Sequence, residues 1–237
     1  MALILRIDVD RPYGKQGIIR HVASRLRSDY YFPVIQRLRY LDELKIILTL
    51  LNARRLAAFV FFRKCTLPSA EVKDLMSAGG HIYGLHLENS RTIDTFRNEH
   101  LYLQNCLHSP IETFSKHGSG KHRYGRNHYA PYEPQKYVDW GRELGLKLFF
   151  GNWEDPSIEP VKEVSFTYFP SAYWLEPHWR SGEQYNIRWL MSESIRRDIV
   201  LMLHPDNVTS SKQIMDEFIT VLDHLEFRAP SDIHSVS

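Results

Sequence analysis

The feature that most constrains this fold is an alternation of two patterns. Short apolar runs, too short to be helices, are separated by longer stretches whose apolar residues recur every three or four positions. Residues 3–7, 57–62 (AAFVFF), 146–150 and 199–203 (IVLML) are apolar runs, and 81–85, 112–115 and 164–168 read as further strands. Helical spacing predicts a helix over 32–53, carried by Val34, Leu38, Leu41, Leu44, Ile47, Leu48 and Leu51. Further helices are expected from Pro68 to the Gly79-Gly80 stop, over 92–107, along the Tyr137, Trp140 and Leu144 face closed by Gly145, and over 189–195 and 211–225. The segment after residue 7, with Pro12 and Gly14, reads as a loop. A strand with no polar side needs cover on both faces, and crossover helices that provide it imply a parallel sheet. About seven such units in 237 residues fit one closed or nearly closed β/α barrel, a single domain over residues 1–237, better than two domains.

Composition excludes several classes. With 43% hydrophobic and 24% charged residues the chain is no disordered polymer, and a length above 200 residues buries roughly 70% of the unfolded surface or more. Thirty Lys and Arg against 28 Asp and Glu leave a net charge of +2, and the basic residues look scattered, which argues against a nucleic-acid partner. Cys65 and Cys106 are the only cysteines and share no CxxC spacing, so they read as small buried hydrophobes. No run of about 18 uncharged apolar residues occurs, and MALILRIDVDRP does not read as a leader. The expectation is a cytoplasmic chain with no integral membrane segment.

Ligands of parallel α/β folds sit at the carboxyl ends of the strands. The residues there are Asp8 and Asp10, His86 and Glu88, Lys116 and His117, Asn152 to Asp155, then His204 and Asp206. Seven of the twelve histidines fall between His81 and His128. Carboxylates and imidazoles suit a divalent first-row ion such as zinc. Asp8 and Asp10 follow period two, which aims both carboxylates the same way; one can hold a cation while the other serves as general base. AAFVFF ends instead in Arg63 and Lys64, which offer no metal ligand. Candidate aromatic surfaces for a sugar are Tyr13, Tyr124, Tyr129, Trp153, Tyr173 and Trp174.

LRIDVD, GGHIYGLHLENS, SKHGSG, FGNWEDP and IVLMLHP, in that order, resemble the five motifs of the polysaccharide deacetylases of the NodB-homology type, the carbohydrate esterase 4-like enzymes. The resemblance runs from Ile4 to His204. It implies an irregular (β/α)7 TIM-like barrel and a metal-dependent removal of acetyl groups from N-acetylated sugars. It assigns Asp8 as catalytic base, His204 as general acid, and Asp10 and His86 as metal ligands. Lys116 stands in the position of an arginine, His117 replaces a proline, Trp153 matches a pocket tryptophan and Leu203 an acetyl-pocket wall, so these four are the expected substrate contacts. Ser90 stands where the family has a second metal histidine, leaving Glu88, Asn89 or His117 to complete the shell of a divalent ion, with zinc the expected metal.

The leading reading is therefore a hydrolase removing an N-acetyl or related acyl group from a small-molecule or oligosaccharide substrate. A barrel that binds glycans or other polar ligands without hydrolysis is the alternative that Ser90 and Lys116 motivate. Another C–N amide hydrolase of the same superfamily is the third.

Overall fold

The computed structural model describes residues 1–234, so the last three residues of the expected 1–237 domain lie outside the described residues. The strands are β1 (Leu3–Val9), β2 (Phe59–Phe62), β3 (Ile82–Leu87), β4 (Thr113–Lys116), β5 (Leu148–Trp153), β6 (Val161–Lys162), β7 (Thr167–Ser171), β8 (Tyr173–Trp174) and β9 (Ile199–Leu203). The helices are α1 (Ile18–Tyr30), α2 (Asp42–Ala53), α3 (Ala70–Ala78), α4 (Ile93–Leu107), α5 (Pro134–Glu143), α6 (Ile187–Glu193), α7 (Pro205–Ser210), α8 (Lys212–His224) and α9 (Pro230–His234). All strands join one sheet in the order β6-β7-β5-β4-β3-β2-β1-β9-β8. Every pairing is parallel except β6 with β7.

Arg6 shows that the sheet curls. β1 and β5 are four positions apart in strand order, roughly 19 Å across a flat sheet at about 4.8 Å per strand. Yet the Arg6 guanidinium donates to Gly151 O at 2.5 Å and to Asn152 Oδ1 at 2.8 Å. Only a sheet wrapped around its own interior brings those atoms together. The result is a mixed α/β architecture with a curled, open, half-barrel sheet.

Strand parity sorts the apolar side chains into two cores. Ile4, Phe59, Phe61, Leu148, Phe150, Phe169, Val200 and Met202 fill the inside of the curl. Leu3, Leu5, Ile7, Val9, Val60, Phe62, Leu85, Leu201 and Leu203 face outward and pack with the helix residues Leu44, Leu48, Phe96, Phe218 and Val221. Phe61 fits inside because its neighbour on β3 is Gly84, where a Cβ would come within 2.4 Å of the ring. The interior changes from aromatic to polar towards the carboxyl ends of the strands, and the site lies there.

Two stretches depart from the expected pattern. The helix expected over 32–53 begins only at Asp42. Pro33 disfavours helix at Phe32, and Arg39 and Leu41 adopt left-handed backbone (φ 59° and 56°) around a single 3-10 turn, so the chain bends before α2 starts. Conversely, the expected loop contains α1, thirteen residues long. The strands also run further than the apolar runs suggest: Asp8 and His86 lie within β1 and β3 and not beyond their ends.

Candidate metal centre

Because side chains alternate along a strand, residues two apart share a face. On β1 the inward parity of Ile4 carries on through Arg6 and Asp8 to Asp10. Ile82 and Gly84 lead to His86 and Glu88 on β3, Leu148 and Phe150 to Asn152 on β5, and Val200 and Met202 to His204 after β9. Asp8, Asp10, His86, His117, Asn152, Trp174 and His204 thereby line one cavity of about 240 Å³.

Three donor atoms meet at its floor. Asp10 Oδ1 lies 3.0 Å from His86 Nε2 and 3.0 Å from His117 Nδ1, and the two imidazole nitrogens are 3.2 Å apart. Ligands about 2.1 Å from a tetrahedral ion stand about 3.4 Å from one another, so the spacing and the carboxylate–imidazole donor set fit a divalent cation. This triad is the group of possible metal ligands found among the described residues. His117 is held well below the usual imidazole range, chiefly by burial and the nearby Arg63 charge, and a neutral ring is the ligating form. Burial opposes ionisation of Asp10, but His117 and His204 outweigh it and hold its carboxyl well below the usual range. The other nitrogen of His86 is 2.7 Å from Ser115 Oγ, which fixes the ring.

Ser90 has no part in this geometry. Its hydroxyl is buried and donates to Tyr137 Oη at 3.1 Å. Glu88 is paired with Arg63, and Asn89 accepts from the Arg91 N–H, so of the three residues left open to complete the shell His117 is the one that the fold brings to Asp10 and His86.

Asp8 sits beside the triad, 3.7 Å from His86 Nδ1. Arg6 grips it with two parallel bonds, Nε to Oδ1 at 2.9 Å and Nη2 to Oδ2 at 2.6 Å. Burial raises its pKa, but the Arg6 guanidinium and the neighbouring His86 outweigh it and hold the carboxyl below its ordinary value. The fork that Lys116 lacks is thus supplied from two residues upstream. Lys116 Nζ turns instead to the backbone of its own loop, donating to His117 O at 2.6 Å and Tyr129 O at 3.0 Å, and burial brings its pKa down to about 7. On the opposite wall Glu176 Oε1 accepts the His204 backbone N–H at 3.1 Å and lies 2.9 Å from His204 Nδ1. Burial works against charge on His204, but the Glu176 and Asp10 carboxylates hold its pKa up to about 10.

Two expected pocket residues are not brought to the cavity. Trp153 follows a register shift of β5 between Phe150 and Trp153, is 47% exposed and packs edge-on against Tyr132. Leu203 has the outward parity of β9, pairs with Ile7 and belongs to the helix-facing core. Their places are taken by Asn152 and by Trp174, whose ring centroid is 5.8 Å from that of His204. Arg6, Glu176 and Trp174 bear on the site without a motif in the sequence. Trp174 is among the aromatic residues expected to meet a sugar; period two carries Arg6 into line with Asp8, and Glu176 into line with Trp174, and no other signal marks Arg6 and Glu176.

No protein-family model matches the chain, and no curated protein matches it. Among solved structures, a mutant of BA3943, a CE4 family pseudoenzyme from Bacillus anthracis, with restored enzymatic activity, superposes with a TM-score of 0.50 at 11% identity, covering 98% of this chain and 67% of that one. A family 4 acetyl xylan esterase from Clostridium thermocellum in complex with a cobalt ion gives 0.44 at 14% identity, covering 98% and 90%. The first likeness shows the fold: this chain has a polysaccharide deacetylase-like α/β architecture and spans about two thirds of the pseudoenzyme's length.

Proposed function

We propose that this protein is a metal-dependent hydrolase of the polysaccharide deacetylase type, removing an acyl group from the nitrogen of a sugar or glycan. The observation that carries the reading is the convergence of Asp10, His86 and His117 on one point, with Asp8 gripped by Arg6 on one side and His204 held against Glu176 on the other. A divalent cation, zinc being the expected one, would be held by Asp10, His86 and His117 and would supply Lewis acidity and a water of lowered pKa.

The chain's own groups divide the proton work. Asp8, kept ionised by Arg6, is placed to take a proton from the attacking water. His204, kept protonated by Glu176, is placed to give one to the leaving nitrogen, so that the amine departs neutral. Two groups with pKa values pushed in opposite directions are the arrangement that acid–base catalysis needs. Trp174 offers an aromatic wall beside His204 against which an acyl or sugar face can pack.

The test is metal analysis combined with acetate release from N-acetylated glucosamine oligomers, comparing the wild type with Asp8→Ala. The expected result is bound metal in both proteins and a rate about 10²–10⁴-fold lower in the variant, the usual weight of a general base. Bound metal with equal inertness of both proteins would contradict the reading and favour a binding barrel. Turnover of cyclic amides in place of acetylated sugars would move the assignment to another C–N hydrolase.

A further inference from the structure

Helix α1 is amphipathic in the reverse of the usual sense. Its buried residues are Ser24, Arg27 and Ser28. They fasten it to the body through polar bonds: Ser24 Oγ donates to Gly14 O at 3.0 Å, Arg27 Nε to Cys65 O at 2.9 Å, and Ser28 Oγ to Cys65 Sγ at 3.6 Å. Its apolar residues point away from the protein. Ile18, Val22, Leu26 and Tyr30 recur every four positions, so they stack as one stripe along the outer face. Ile18 is 84% exposed and Tyr30 63%, with Ile19 beside them at 71%. An outward stripe on a helix with a polar inner face is no accident of one exposed leucine.

The charges around the stripe are of one sign. Of the seven basic side chains in residues 11–39, Arg27 is buried beneath the helix and Arg11 and Arg20 are paired with Asp206 and Glu43. That leaves Lys15, Arg25, Arg37 and Arg39 exposed against a single acid in that stretch, Asp29. Asp29 is occupied, accepting the Arg126 backbone N–H at 2.5 Å, and Glu43 is paired with Arg20. The loop that packs on the C-terminal end of α1 adds exposed Lys121, Arg123 and Arg126, and the Arg126 guanidinium lies over the Tyr30 ring. Apolar side chains flanked by cations, with an aromatic at one end, are the composition of a helix that lies in the headgroup region of an anionic bilayer.

We propose that α1 is a membrane-docking helix, seating the protein on an anionic phospholipid surface with Ile18, Val22, Leu26 and Tyr30 immersed and the surrounding Lys and Arg on the headgroups. The other side of the same helix lines the cavity through His21, Ser24, Arg25 and Ser28, so docking holds the cavity about one helix width, roughly 10 Å, from the lipid surface. An acylated headgroup presented from the membrane is then the substrate class; that consequence rests on the hydrolase reading, whereas docking does not.

The experiment is flotation of the full chain with vesicles of phosphatidylcholine alone and of phosphatidylcholine with about one third phosphatidylglycerol, at low and high salt. Wild type, Val22→Glu/Leu26→Glu and Val22→Ala/Leu26→Ala are compared, with circular dichroism melts confirming that each is folded. The expected result is binding to anionic vesicles at least about tenfold stronger than to neutral ones, weakened by salt. A further loss of about tenfold or more is expected in the Glu pair and a smaller one in the Ala pair. Two results would overturn the proposal: no binding by folded wild type to either vesicle, or a wild-type dimer that the Glu pair turns into a monomer while vesicle binding is absent. The readout needs no enzymatic activity, so it stands or falls apart from the hydrolase assay.

Discussion

Arg6 and Asp8, two residues apart on β1, form a bidentate ion pair inside the curled sheet, and the same guanidinium reaches across to Asn152 on β5. One side chain thus orients the proposed base and ties the two sides of the interior together. Arg6→Lys keeps the charge and loses the fork, so the rate is expected to fall by about 10–10²-fold with bound metal unchanged. Arg6→Met leaves Asp8 buried without its partner and is expected to lower stability by about 3–5 kcal/mol in urea unfolding. Equal activity of Arg6→Lys and wild type would remove Arg6 from the account.

His117, which the fold brings to Asp10 and His86, and Ser90, which stands where the resembled family has its second histidine, give opposite expectations. His117→Ala is expected to weaken zinc or cobalt binding by about 100-fold or more, read by competition with a chromophoric chelator. Ser90→Ala is expected to leave that affinity unchanged and to cost about 1 kcal/mol of stability through the lost bond to Tyr137. The reverse order of effects would return the ligand to the Ser90 position.

Trp174 and Trp153 test which face of the sheet meets the substrate. Trp174→Ala is expected to raise KM or lower kcat by about tenfold, the weight of one aromatic wall. Trp153→Ala, outside the cavity lining and half exposed, is expected to change neither by more than about twofold.

His81 gives a pH dependence remote from the metal ligands. Burial lowers its pKa from 6.5 to about 4, and its neutral ring accepts the Ala58 N–H at 3.0 Å and lies 2.7 Å from Asn52 Oδ1. The unfolded chain takes up the proton below about pH 6.5 and the folded one only near pH 4. The stability that the neutral ring confers is therefore complete above pH 6.5 and lost as pH falls towards 4. Between pH 7 and pH 5 wild type is expected to lose about 2 kcal/mol more than His81→Gln in urea unfolding. Identical losses would show that His81 titrates normally.

The alternation of apolar runs and helical patterns made the parallel α/β sheet legible, because strands covered on both faces cannot hide their composition. Asp8, Asp10, His86 and His204 could be singled out since each stands at or near the carboxyl end of such a run. Leu203 falls one residue off the inward parity and Trp153 follows a register shift in β5, neither of which a motif written as a string records. Arg6 was concealed in an otherwise apolar run, where it reads as an interruption and not as the partner of Asp8. His117 lies 31 positions from His86, so no short spacing announces their meeting. Helix α1 carries the i, i+4 apolar signal over Ile18, Val22 and Leu26, but the stripe faces outward and the segment follows Pro12 and Gly14, which read as loop.

The central claim is that Asp10, His86 and His117 hold one divalent ion. Anomalous diffraction at the zinc edge, from crystals grown with zinc, measures it directly. The expected result is a peak about 2.0–2.2 Å from Asp10 Oδ1, His86 Nε2 and His117 Nδ1 together, lost in His117→Ala. A peak at other residues, or zinc bound with equal affinity by His117→Ala, would contradict it.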